Sequence, residues 1–304
     1  MKQTKRFSIR HKLLIIFGLL ILMVGLILSV LAIRTARKAV TEKVETHLID
    51  KATDTAEILD GRVTALFQFL EGIARTPILR DNSLSYQEKT AYLMKEASFN
   101  SKVHKMNICD MNGIRYADNG QKINVSDRDY FMAAAKGKNF IAEPIVSRLD
   151  GHFVLACTEP IYDDDHNVIS VLLATIEASD LSNDISDIVV GKTGYCYILG
   201  LTGTIIAAKD FTRVEQMENV LKMAESNASL KSLADFEKMA IEINEPSIGF
   251  YTYNGINKVA SYAKIKSTGW TVVINAPKEE FLGAVDELRL QMILIGTIIL
   301  IVSL

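Results

Sequence analysis

Residues 52–77 read ATDTAEILDGRVTALFQFLEGIARTP. Ala52, Ala56, Leu59, Val63, Leu66, Leu70 and Ile73 recur at alternating intervals of four and three, which on an α-helix gathers them into one apolar stripe. Residues 36–75 contain no proline, and Gly61 and Gly72 are their only glycines, so nothing interrupts the helix before Thr76-Pro77. There the proline disfavours helical geometry in the residue before it. A stripe this long must be covered. The expected cover is twofold: globular modules of the same chain over most of it, and a second copy over the membrane-near positions Val40, Val44 and Leu48.

Upstream, residues 13–33 form a nearly continuous apolar run without a charge. Such a run spans about 30 Å as a helix, the hydrocarbon thickness of a bilayer. Lys2, Lys5, Arg6, Arg10 and Lys12 precede it, whereas Arg34, Arg37 and Lys38 follow with Glu42 and Glu45 close by, which points the N-terminus to the cytoplasm. A cleaved signal peptide shares the basic start and the apolar stretch. Its core is shorter, however, and Ile33-Arg34-Thr35-Ala36-Arg37 is a poor cleavage site. A second apolar run, 292–304, is too short to span and reaches the last residue, so the sequence reads as a piece ending within a membrane helix. The region between the two runs is expected outside the cytoplasm, in a multi-pass protein of the cell membrane.

That region is mixed in composition, and the whole chain has a formal net charge of −2. No basic stripe suggests nucleic acid. Cys109, Cys157 and Cys196 are widely spaced and lie in strand-like stretches, so they read as buried thiols rather than a disulfide framework or a metal site. Free thiols in an exterior domain point to an anaerobic or weakly oxidising setting. No nucleophile elbow, phosphate-binding glycine loop or paired catalytic carboxylates stand out, and no cofactor or metal is called for. The run Asp163-Asp164-Asp165-His166 lacks the alternating spacing and glycine of a calcium loop and reads as an acidic turn. His104 and Cys109, five apart on a strand, fall on opposite faces.

Beyond about residue 100 the period changes to that of strands. One hairpin runs from Lys105 to Ile123 around Asn112-Gly113, and another from Tyr195 to Lys209 around Thr202-Gly203. Each is followed by a second pair: 152–177 around the acidic turn, and 259–276 around Ser267-Thr268-Gly269. One plan used twice implies an α+β chain, with a long N-terminal helix and two tandem antiparallel-sheet modules. The expected boundaries are a cytoplasmic N-terminus at 1–12, a transmembrane helix at 13–33, the long helix at 34–78 and a membrane-distal module at 79–182. A membrane-proximal module at 183–277, a C-terminal helix at 278–291 and the start of a second transmembrane helix at 292–304 complete the chain. Trp270 is expected in the proximal core.

Two stretches resemble a known family. Asp127-Arg128-Asp129-Tyr130-Phe131, with Ala133-Ala134 and Phe140-Ile141-Ala142-Glu143-Pro144, resembles the distal module of double Cache sensor domains, which are PAS-like. Gly191-Lys192-Thr193-Gly194-Tyr195-Cys196-Tyr197, with Gly203-Thr204-Ile205-Ile206-Ala207, resembles the start of the proximal one. The N-terminal third is most similar to methyl-accepting chemotaxis proteins. The resemblance implies a small ligand bound in the distal module under the loop that carries Arg128. The chemistry agrees: Arg128 offers a planar fork suited to a carboxylate, and Tyr130 and Phe131 can wall off water. Against this stands an arginine between two aspartates that forms only local ion pairs, beside a Tyr-Phe pair that is merely core.

The sequence departs from the family's amino-acid binders. There the arginine is followed by x-Trp-Tyr, where this chain has Tyr130 and Phe131; the tyrosine after Glu-Pro is Ile145; and the aspartate that receives the ligand's ammonium is Thr175. A charge-assisted hydrogen bond of that kind contributes about 1.5–3 kcal/mol, so an organic anion or an uncharged solute is expected in preference to a free amino acid. If the placement is off by two residues, Glu177 supplies the carboxylate and the amino-acid reading revives. Tyr116 and Asp118 divide equally between pocket and core. The resulting expectation is a transmembrane chemoreceptor sensor, homodimeric and signalling to cytoplasmic proteins through a part beyond residue 304. The alternatives are the sensor half of a diguanylate cyclase or histidine kinase, or sensing through a solute-binding protein; an ectoenzyme and an adhesive surface protein fit less well.

Overall fold

A computed structural model describes residues 9–303, so the basic residues Lys2, Lys5 and Arg6 lie outside the described part. Helix α1, Ile9–Ala74, runs unbroken through the apolar run and the heptad stripe. Its N-terminal part is the one described helix long and apolar enough to cross a membrane. Proline ends the helix where expected: Thr76 is extended, and Pro77 begins a separate turn, α2, Pro77–Arg80. Helix α3, Tyr86–Ala97, opens with a capping box in which the Ser85 hydroxyl accepts from the Glu88 amide while the Glu88 carboxylate accepts from the Ser85 amide.

Seven strands and a short helix follow. They are β1 Lys105–Cys109, β2 Ile114–Tyr116, β3 Lys122–Asn124, α4 Asp129–Ala134, β4 Phe140–Ile141, β5 Ile145–Val146, β6 Phe153–Tyr162 and β7 Val168–Glu177. They form an antiparallel sheet in the order β3-β2-β1-β7-β6-β4, with β5 also paired to β6. Its two faces bury different cores. One carries Met106, Ile108, Cys157 and Leu172 against Leu66, Leu70 and Ile73 of α1 and Leu93 of α3. The other carries Cys109, Ala156, Val171 and Leu173 against Tyr130, Phe131 and Ala134 of α4.

Helix α5, Ala178–Ser186, leads to the second module, which contains β8 Tyr195–Leu199, β9 Ile205–Ala208, α6 Thr212–Glu215, α7 Val220–Met223 and α8 Lys231–Glu242. Strands β10 Ser247–Tyr253, β11 Ile256–Lys264 and β12 Thr271–Pro277 complete a sheet in the order β10-β11-β12-β8-β9. Phe236 and Ala240 of α8 pack on its Tyr197, Tyr251 and Tyr262 face. Strand β10 adds to the expected pairs, and Asn254 and Gly255, both at positive φ, make the tight turn that joins it to β11. Helix α9, Glu279–Ser303, closes the described chain as one element. Among the described residues its apolar part, Arg289–Ile298, is shorter than a membrane span.

Residues 48–276 form one compact unit, and the described residues of 9–47 and 277–303 belong to another. Within the first, Ala52, Ala56, Leu59, Leu66, Leu70 and Ile73 are buried and Val63 is half-buried. Leu48, expected to face a second copy, is fully buried within its own chain, and its carbonyl accepts a 2.6 Å hydrogen bond from the Ser261 hydroxyl. The reason is phase: Leu48 lies one turn before Ala52, on the inward stripe. Trp270 and all three cysteines are buried. Burial pushes the Cys109 and Cys157 thiols up to about 12.

Candidate ligand-binding site

Period-2 alternation sends Cys109, Asn107, Leu173, Thr175, Ala156 and Val154 to the α4 face of the first sheet, in register across β1, β7 and β6. Over that face a cavity is lined by Arg115, Arg128, Tyr130, Ile145, Arg148 and Thr175, with Val125, Ser147, Val154, Ala156 and Leu173 filling the gaps. It is shut, with about 10 Å³ of free space, close to the room of one water molecule.

Arg128 precedes α4 as its N-cap residue. Its neighbour Asp127 does not pair with it: both carboxylate oxygens take hydrogen bonds from Arg148, at 2.6 and 2.7 Å, which hold the Asp127 carboxyl down at about 2. Arg128 is left with one long bond, Nη2 to the Val146 carbonyl at 3.4 Å, and its Nε is buried with no partner among the described residues. A donor in that state costs free energy until an acceptor arrives.

Beside it lies Arg115, which no sequence motif singles out. Arg115 is 4 % exposed, and its Nε and Nη2 both donate to a neutral acceptor, Asn107 Oδ1, at 2.8 and 2.5 Å. Burial pulls its pKa down, yet a guanidinium remains charged at any physiological pH. The Asn107 amide nitrogen is itself buried without a partner among the described residues. Three arginines and no carboxylate thus line the cavity, and one of the arginines is fully committed to Asp127.

The remaining anticipated residues divide. Tyr130 lines the cavity, its phenol pushed up to about 12 by burial, and its carbonyl accepts from the Thr158 hydroxyl at 2.8 Å. Ile145 and Thr175 line it as well, whereas Phe131 packs in the adjoining core. Glu177 lies two residues further along β7, where it receives a hydrogen bond with His152 at 3.0 Å. Tyr116 points to the opposite face of the sheet, stacked on Tyr86 at 4.6 Å and bonded to Asp110 at 3.0 Å. Asp118 is exposed beyond the end of β2. The signal that would have found Arg115 is the same alternation: on a short strand next to Tyr116, it takes the other face.

Two larger cavities carry different chemistry. One, of about 420 Å³, lies between α1 and both modules and is mainly apolar, lined by Leu59, Leu66, Leu155, Ile176 and Trp270. The other, of about 360 Å³, lies in the second module beside Tyr195, Arg213 and Tyr253, where Arg213 is already paired with Glu218 through two hydrogen bonds. The acidic turn at 163–167 is closed by its own amides, with Asp163 accepting from the Asp165 and Asn167 backbone.

The architecture agrees with a family model, that of the Cache domain (dCache_1), which matches residues 32–285. The chain belongs to the Cache domain family. Methyl-accepting chemotaxis protein TlpA of Bacillus subtilis (strain 168) is 26% identical over 161 residues, which is 52% of this chain and 21% of that protein. The chain thus spans about a fifth of the curated relative it matches. Among solved structures, the ligand-binding domain of Campylobacter jejuni chemoreceptor Tlp3 in complex with L-valine superposes with a TM-score of 0.58 at 14% identity, covering 80% of this chain and 96% of that one. The ligand-binding domain of Pseudomonas fluorescens chemoreceptor CtaA in complex with L-isoleucine gives 0.61 at 15% identity, covering 82% and 99%. These likenesses establish the Cache fold.

Proposed function

We propose that the chain is the sensory part of a transmembrane chemoreceptor, and that its first Cache module takes a small organic anion between Arg128 and Arg115. The observation that carries the ligand class is the unmatched charge of the cavity: a buried guanidinium with only an amide partner, a second with an unpartnered Nε, and no carboxylate in the lining. A carboxylate ligand would supply bidentate acceptors to Arg128 and offset the desolvation of Arg115. The Tlp3 and CtaA domains were solved with amino acids. An amino acid here would leave its ammonium facing Thr175, which offers no charge.

Because the cavity is shut, the ligand enters when the segment carrying Ile145 to Arg148 and the Arg128 side chain part, and closure over the ligand then differs from closure over water. That difference biases α1, whose Leu66, Leu70 and Ile73 pack on the far face of the same sheet. A coupling of about 1–3 kcal/mol suffices to shift a two-state receptor roughly 5- to 150-fold. The sensor lies outside the cytoplasm, the protein is a homodimer in the membrane, and the output lies in a part beyond these residues.

The test is a thermal-shift series on the chain with organic acids, amino acids, amines and nucleobases. A ligand at about 100 times its Kd adds about 2.7 kcal/mol and raises the midpoint by several degrees. The expected result is a shift with one or more organic acids that disappears in Arg128→Ala, whose own midpoint without ligand is unchanged. A shift with amino acids alone would overturn the anion assignment. A loss of ligand-free stability in Arg128→Ala would make that residue structural.

A further inference from the structure

A second cluster of polar side chains lies on the first module, outside the cavity. Glu177 Oε1 is 3.0 Å from His152 Nδ1 and 3.5 Å from His104 Nε2, and the three atoms all lie within 4.8 Å of one another. The two imidazoles stack at 5.5 Å. We propose that His104, His152 and Glu177 form a binding site for a divalent transition-metal ion of the zinc type.

The geometry is close to what the ion requires. Bonds of about 2.0–2.1 Å in a tetrahedron place ligand atoms roughly 3.3 Å apart, so the two edges that meet at Glu177 already have the right length. Only the edge between the histidines has to shorten, which a small rotation of an exposed ring supplies. The frame behind them is fixed by the sheet, since β1, β7 and β6 are adjacent. The His104 amide donates to the Thr175 carbonyl at 2.8 Å, the His152 carbonyl accepts from the Ser147 amide at 2.8 Å, and Glu177 is in register with Val154. Glu177 ends β7, and His104 and His152 immediately precede β1 and β6, so the three ligands meet at the ends of neighbouring strands.

The donor set selects the ion. Two imidazoles and one carboxylate suit Zn²⁺, Ni²⁺ or Cu²⁺, whereas Ca²⁺ and Mg²⁺ prefer six or more oxygens. Asp150, whose Oδ1 accepts from the His152 amide at 3.4 Å, is engaged by Lys105 at 2.9 Å. The side chains of His104, His152 and Glu177 are 35%, 52% and 29% exposed, so an ion can enter from solvent and keep water in its fourth position. Bound there, it ties together the ends of three strands two residues along β7 from Thr175, where the chain turns into α5.

The experiment is calorimetric titration of ZnCl₂ into the whole chain in detergent, prepared without a polyhistidine tag and stripped with a chelator, with MgCl₂ and CaCl₂ as controls. The chain has five histidines and its cysteines are buried, so few competing donors exist. One Zn²⁺ per chain is expected, with no heat from Mg²⁺ or Ca²⁺. His104→Gln, His152→Gln and Glu177→Gln should each weaken the affinity by more than the roughly tenfold that loss of a supporting partner costs. Midpoints measured with the chelator present report whether each variant folds; His152→Gln, at the most exposed position, decides the matter if another does not. The proposal is overturned if the unaltered chain takes up no Zn²⁺, or if His152→Gln binds it undiminished.

Discussion

At the scale of single residues, the cavity and the second module each hide an ionisable group whose burial predicts a measurable effect. Arg115 is buried against a neutral amide. Removing such a charge in favour of an apolar side chain of similar length is commonly neutral or stabilising. Arg115→Met alone would orphan the buried Asn107 side chain, so the pair is replaced together: Arg115→Met with Asn107→Leu should keep or raise the ligand-free midpoint while abolishing the shift produced by an organic acid. A lower midpoint with the shift retained would remove Arg115 from the site. Glu237 gives a pH prediction. It is wholly buried, accepts from the Tyr197 phenol at 3.0 Å, and burial raises its carboxyl to about 7. Below about pH 4.5 it is protonated both folded and unfolded, so the neutral form's contribution is fully present. As pH rises towards 7, only the unfolded chain releases the proton, and stability falls by up to about 3 kcal/mol. Glu237→Gln, which stays neutral, should flatten this part of the denaturant-unfolding profile, and its advantage over the unaltered chain should grow from pH 5 to pH 8. Parallel profiles would show that Glu237 ionises freely.

At the scale of elements, what was legible followed periodicity, and what was missed followed choices that periodicity leaves open. The spacing of Leu59, Leu66 and Leu70 identifies α1 and its buried stripe, and Pro77 stops it, because both are properties of the local chain. Periodicity leaves Tyr116 open as a pocket residue and does not single out Arg115: a strand of three residues presents both faces equally, and the partner that draws Tyr116 away, Tyr86, is distant in sequence. Leu48 packs inside its own chain rather than on a second copy, because a stripe does not say what covers it. Turns are the opposite case, since their glycines state a requirement. Gly113 has φ +78°, and a Cβ there would lie 2.5 Å from Ser126 Cβ and 2.6 Å from its Cα. Gly120 has φ +83° with open space around it. Gly120→Ala should thus cost about 1 kcal/mol for the left-handed backbone alone. Gly113→Ala should cost clearly more, because the turn must move off the backbone that leads to Arg128. Equal costs in urea unfolding would show that the β1–β2 turn relaxes freely.

At the scale of the whole molecule, α1 has two faces with different tasks. The inward stripe is covered by the chain itself. Val44, Ile58, Ala65 and Gly72 are separated by multiples of seven, so they share a second face, and Val40 and Gly61 stand at the position beside it. Ile58 is 58% exposed, and Gly61, Ala65 and Gly72 are exposed too. Small residues on that face allow close approach of a second helix, and Ile58 supplies an apolar side chain that a monomer leaves in water. If the proposed homodimer forms along α1, Ile58→Cys should cross-link to its own copy under mild oxidation in the membrane. Cys placed at Glu57, also exposed but a residue off this face, should do so far more slowly. The native thiols give little background, since Cys109, Cys157 and Cys196 are at most 1% exposed. An organic acid that binds the first module should change the rate at position 58, because the sheet beneath the cavity rests on the same helix. Equal cross-linking at 57 and 58 would place the dimer contact elsewhere. A rate at 58 indifferent to a bound ligand would mean that the signal leaves the Cache modules by a route other than α1.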